Sequence, residues 1–144
     1  MIYVRYKNKY RLTNSSDKKY KLYVGANVDV KMLEVLESRT WKIKIGDNTK
    51  INYILLMGDN IKIGSNCIIG GLFLKSNITI HNKCKIGNEV RLGNNVKILP
   101  GCEIGNKVVI GDNCVIEPNT KINDNETILK EYEYWYTEDI KTST

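Results

Sequence analysis

An aliphatic side chain returns every six residues through the second half of this chain, and few folds can use that period. From Ile80 the series runs Ile80, Ile86, Leu92, Ile98, Ile104, Ile110, Ile116, Ile122 and Ile128. Two residues before most of these sits another small or apolar residue: Ile78, Cys84, Val90, Val96, Cys102, Val108, Cys114 and Thr120, with Glu126 breaking the series. The same phase extends back through Ile45, Ile51, Met57, Ile63 and Ile69, and the five-residue step from Ile69 to Leu74 places one short turn at Gly70-Gly71. Six matches no helical stripe. Residues separated by one in an extended chain point the same way, so each pair reads as a very short strand with two inward side chains. The three residues between pairs must turn the chain. They read Gly-Asp-Asn, Gly-Ser-Asn, Gly-Asn-Glu and Gly-Asn-Asn, and the third is Asn at 48, 60, 66, 77, 95, 113, 119 and 125. Gly and Asn tolerate the positive φ that a sharp corner needs.

The run Ile-Gly-x-x-(Val/Cys/Thr)-x, over about residues 43–128, resembles the hexapeptide repeat of the left-handed parallel β-helix acyltransferases, which include serine acetyltransferase and bacterial sugar O- and N-acetyltransferases. The resemblance implies three hexads per triangular coil, hence an all-β, left-handed parallel β-helix of about five coils. Residues 1–23 are expected to form a basic N-terminal hairpin, with strands at 2–6 and 10–12. Residues 24–128 form the β-helix, and 129–144 an aromatic cap that closes its open end or packs on a neighbour. Residues 31–38 fit a short helix or a loose coil edge. Sorted by face, the strands end at Ile45, Ile63, Ile80, Ile98 and Ile116; at Ile51, Ile69, Ile86, Ile104 and Ile122; and at Met57, Leu74, Leu92, Ile110 and Ile128. The outward residues of the third face, Leu56, Phe73, Arg91, Val109 and Thr127, are largely apolar and mark an interface or a covered surface. The resemblance implies a homotrimer with this column as its seam; the C-terminal tail is the competing cover.

What the resemblance implies about chemistry is acyl transfer from a CoA thioester to a hydroxyl or amine, on a small-molecule or glycan acceptor such as a sugar nucleotide. Such a reaction needs a base with a near-neutral pKa to take the acceptor's proton. His81 is the only histidine. Its setting, Ile80-His81-Asn82-Lys83-Cys84-Lys85-Ile86-Gly87, also resembles a structural corner of the family, so it reads as catalytic base or as corner. Acetyl-CoA is expected beside the late coils, with Gly105 and Gly111 letting pantetheine approach the backbone and Lys107 and Lys121 meeting phosphates. Each of these also has a plain corner or surface role. The alternative is a catalytically silent trimeric β-helix used as a scaffold or binding protein.

Other classes are not supported. The cysteines Cys67, Cys84, Cys102 and Cys114 form no CxxC pair, and with one histidine no metal site is expected. Cys67, Cys84 and Cys102 fall at one place in successive coils and read as a ladder of small buried side chains. Within 1–24, seven basic residues face Asp17 alone, which carries the whole net charge of +6. That segment is a solvated hairpin or meets a phosphate-bearing or acidic partner. Nucleic acid is not expected, because no recognition signature accompanies the charge. No apolar run is long enough to span a membrane, and no signal-peptide core is visible, so a cytoplasmic location is expected.

Overall fold

The computed structural model describes residues 3–6, 9–12, 20–36 and 40–130. Among them there is no helix, and the parallel strands stack as a β-solenoid of about six turns, consistent with the expected left-handed β-helix. Face 1 stacks β3 (Tyr20–Val24), β5 (Trp41–Ile45), β7 (Ile61–Ile63), β9 (Ile78–Ile80), β12 (Lys97–Ile98) and β15 (Val115–Ile116), all parallel. The long strands β4 (Asp29–Val35), β6 (Lys50–Leu56) and β8 (Ile68–Leu74) begin on face 2 and bend onto face 3. Above them face 2 continues as β10 (Lys85–Ile86), β13 (Glu103–Ile104) and β16 (Lys121–Ile122). Face 3 continues as β11 (Val90–Leu92), β14 (Val109–Ile110) and β17 (Thr127–Ile128). The coils are thus 20–36, 41–60, 61–77, 78–95, 96–113 and 114–130, numbered 1 to 6. Coil 1 is the turn added to the expected five.

At the bottom, β1 (Tyr3–Tyr6) and β2 (Lys9–Leu12) pair as an antiparallel hairpin, and β1 adds parallel to β4 with Arg5 opposite Glu34. Residues 29–35 are strand, not helix. Residues 131–144, where the aromatic cap is expected, lie outside the described residues.

One phase assignment is corrected. Met57 is 43% exposed, and Leu56 is fully buried and aligns with Leu74 and Leu92. The chain goes from Ile51 to Leu56 in five residues, then from Leu56 to Ile63 in seven, so Met57 falls on the six-residue count without holding the inward place. The outward column of face 3 is therefore Glu34, Leu55, Phe73, Arg91, Val109 and Thr127. The reason lies at the corner. In coils 1–3 the passage from face 2 to face 3 has no left-handed residue, whereas in coils 4–6 it has Glu89, Lys107 and Asn125 at φ 55–64°.

The interior is one continuous column of aliphatic side chains with the cysteines set into it. The corners supply the polar order. Asn60, Asn77, Asn95 and Asn113 stack at the third corner, each side-chain amide donating to the next carbonyl oxygen at 3.0–3.1 Å. Their φ values of 58–65° are the left-handed ones that Asn adopts more readily than other side chains.

Candidate functional site

Face 2 carries an open depression of about 730 Å³ across coils 4–6. Lys85, Glu103 and Lys121 stand in register along it, and Gly87 and Gly105 form its second-corner edge under Asp124. Exposed Ile68 closes the lower end. Two ammonium groups therefore flank one carboxylate, two coil spacings apart, or about 9.6 Å at the usual strand separation. That arrangement can hold an anionic group at either end.

The structure brings Gly105 and Lys121 together in this depression. It does not bring the other expected residues there. Lys107 is exposed on the second corner at φ 56°, filling the place that Asn takes elsewhere. Gly111 lies on the third corner, across face 3. His81 stands at the first corner of coil 4, on the far edge of face 2 from Gly87. Lys85 and Asp124 are the lining residues that the expected set lacks. The recurrence of Lys85, Glu103 and Lys121 at intervals of 18 is the signal that leads to Lys85.

The corner glycines follow a rule that reaches from one coil to the next. A corner's second residue is commonly Ser, Asn or Asp, and its side chain accepts the N–H of the second corner residue one coil below. At the first corner Asp47 accepts from Ala26 at 2.8 Å, Ser65 from Asp47 at 3.0 Å and Asn82 from Ser65 at 2.7 Å. At the second corner Asn106 accepts from Asn88 at 2.8 Å and Asp124 from Asn106 at 2.7 Å. The accepting oxygen occupies the space a Cβ would take on Gly25, Gly46, Gly64, Gly87 and Gly105. Gly105 is thus required by the stack itself. At Gly111 the one close contact of a Cβ would be the Leu129 side-chain end, at 2.7 Å, with the Ile128 carbonyl oxygen at an ordinary 3.6 Å.

His81 and Leu99 are the first-corner positions where the rule changes. The residues overhead are Pro100 and Pro118, which offer no accepting side chain, and a full side chain replaces glycine at both. His81 is half-buried and its backbone N–H donates to Ile98 at 2.8 Å. The corner reading of His81 thus has a physical basis.

The thiols have their own explanation. Cys67, Cys84 and Cys102 are fully buried, and each donates to the carbonyl at the first corner position of the coil above: to His81 at 3.2 Å, Leu99 at 3.4 Å and Glu117 at 3.0 Å. Thr49, one coil lower, does the same to Gly64 at 2.8 Å. A buried carbonyl left without a donor is costly, so the ladder takes small side chains that can donate. Interaction between the stacked thiols draws Cys67 down to about 7 and, with burial, pushes Cys84 up; burial pushes Cys102 up. Lacking exposure, none is placed to act as a nucleophile.

Residues 89–124 match the bacterial transferase hexapeptide family, described as six repeats. The match spans 36 of the 144 residues and lies within coils 4–6, which include most of the face 2 depression. The comparison with curated proteins gives no match. The upper coils are thus similar to those of hexapeptide-repeat transferases, a family that generally uses acyl-CoA; the similarity suggests acyltransferase-type activity in general and names no acceptor.

Proposed function

We propose that this protein transfers an acetyl or similar acyl group from a CoA thioester to a hydroxyl or amine of a sugar nucleotide or glycan, in the cytoplasm. The observation that carries this reading is the coincidence of the face 2 depression with the coils that match the transferase family. Lys85 and Lys121 fit the phosphates of a CoA ester, since both are exposed ammonium groups on one open face. The thioester, when bound, supplies the activated acyl carbon. Gly87 and Gly105 leave the second-corner edge without side chains, so an extended chain can lie against the backbone there. His81, at the first corner of coil 4, takes the proton from the acceptor as that atom bonds to the acyl carbon and the C–S bond breaks, and returns it to the departing thiolate. Lys107 adds charge beside the groove, and Gly111 leaves the third corner open to a neighbour.

The working form is a homotrimer with face 3 at the seam. In its column Phe73 is half-buried, with the Tyr53 ring edge-on at 6.3 Å and the Arg91 guanidinium over its face at 5.1 Å. The Tyr53 hydroxyl donates to Glu34 at 2.7 Å. Such an ordered, partly apolar surface suits a partner copy.

A second reading, a silent trimeric scaffold, is favoured by the corner rule, which accounts for Gly105 without any ligand. Calorimetric titration with acetyl-CoA, and with CoA for comparison, separates the two. Saturable micromolar binding near one site per chain, lost in Lys85→Glu/Lys121→Glu, supports transfer. Absence of heat and of thermal stabilisation at millimolar ligand supports the scaffold.

A further inference from the structure

We propose that face 1 docks on an anionic lipid surface. The register of the six face 1 strands aligns Tyr23, Lys44, Lys62, Thr79, Lys97 and Val115 in one outward column, with Lys21 and Lys42 paired beside it. All five lysines are exposed, and among the described residues no carboxylate occupies an outward position on this face. The nearest carboxylates stand at the corners of this face, still charged, and hydrogen bonds hold three of them there. Asp47 accepts the Ala26 N–H at 2.8 Å; Asp59 accepts the Lys42 N–H at 2.7 Å and the Thr40 hydroxyl at 3.3 Å; Asp112 accepts the Asn94 N–H at 2.6 Å. Glu117 stands at the first corner above Leu99.

The contrast with the other faces is chemical. On face 2 the column alternates, Asp29 beside Lys50 and Glu103 between Lys85 and Lys121. On face 1 like charges lie directly opposite, Lys21 on Lys42 and Lys44 on Lys62, which destabilises the sheet by itself. An anionic partner relieves that repulsion.

Three features select a bilayer over other anions. The column runs through six strands without a register slip, so it rises about 24 Å at the usual strand separation and presents its charges in one line to an extended surface. Five lysines fall within the roughly four to eight that hold a segment on anionic lipid. The two ends of the face carry exposed Tyr23 and Val115, 47% and 52% accessible, which suit the headgroup boundary. Beside Lys44 and Lys62, a shallow depression of about 430 Å³ floored by Gly25 and Gly46 accommodates a headgroup phosphate. The footprint belongs to one chain and is separate from both the face 2 depression and the face 3 column.

Co-sedimentation of the full chain with vesicles of phosphatidylcholine alone, and with about 30 mol% phosphatidylserine added, tests this. Binding is expected only to the anionic vesicles and to weaken as salt rises. Lys44→Glu/Lys62→Glu should reduce it roughly tenfold or more, and the milder Lys44→Gln/Lys62→Gln should reduce it less. Lys31→Glu/Lys50→Glu, the same charge change off this face, should leave it nearly intact, with thermal melts confirming that all variants fold. No binding to anionic vesicles overturns the proposal, as does equal binding to neutral vesicles or equal loss in the off-face variant. Binding to soluble polyphosphate or poly-uridylate without vesicle binding also overturns it, assigning the face to a soluble polyanion.

Discussion

In coils 1–3 the chain passes from face 2 to face 3 in five residues, and in coils 4–6 it takes six. The lower half does so with continuous seven-residue strands, the upper half with two- and three-residue strands separated by left-handed corners. Both halves bury the same kind of column. The solenoid therefore depends on inward apolar pairs and on a corner that the next coil can cap, and it tolerates a residue more or fewer in the turn. Coil 2 makes up its missing residue at the third corner, which runs Met57-Gly58-Asp59-Asn60. The family match is confined to coils 4–6, where the second corner takes its full three residues and a left-handed one.

Packing offers the largest test of that contrast. Leu72, fully buried just after the tightened corner, should cost about 2–5 kcal/mol when cut to alanine, measured by chemical denaturation. Val108→Ala, at the equivalent place in coil 5, removes fewer atoms and should cost less. Equal losses would mean that the tightened corner adds no packing.

Corner glycines come next. A Cβ on Gly64 would lie 2.7 Å from the Asn82 nitrogen and 2.8 Å from the His81 carbonyl carbon, both backbone atoms. Gly64→Ala should therefore destabilise by about 1–3 kcal/mol. Gly111→Ala is crowded only by the movable end of exposed Leu129, its backbone contacts being ordinary ones, and should stay within about 0.5 kcal/mol. A similar loss at both would remove the distinction between capped and open corners.

The rule linking a corner's first residue to the second corner residue one coil above, as His81 to Pro100, predicts a coupling. Pro100→Asn alone sets an accepting side chain against the His81 Cβ, and His81→Gly alone leaves a corner with no accepting side chain above it. Together they rebuild the arrangement of Gly64 under Asn82. A double-mutant cycle should show favourable coupling of about 0.5–3 kcal/mol; additive effects would break the rule.

The smallest effect expected is at Cys102. Its folded pKa is raised, so the neutral thiol is the form the fold prefers. That stability is complete below the unfolded thiol pKa of about 8.5 and is lost as pH rises through the raised folded value. Cys102→Ser keeps the donor to Glu117, should melt within a few degrees of the parent, and should fall less steeply with pH above about 8.5 in thermal melts. An unchanged alkaline slope would remove Cys102 as its source.

Much of the fold was legible in the sequence. Residues such as Asn48, Asn66, Asn95 and Asn113 announce left-handed corners by their own conformational preference, and Ile86, Ile104 and Ile122 announce an inward column by period alone. The depression on face 2 was legible only in part. Gly105 and Lys121 line it, but Gly111 and His81 lie on other corners, because sorting residues by face assigns each a corner without showing which face holds a depression.

What the sequence determined, then, is local: short strands, turns that need positive φ, and side chains that must be inside. The tertiary structure alone decided where five- and seven-residue steps cancel around Leu56, why His81 stands where other coils carry glycine, and that five lysines share face 1. These depend on contacts between residues 17 to 21 positions apart, and a side chain's neighbour in the next coil is set only once the stack has its register.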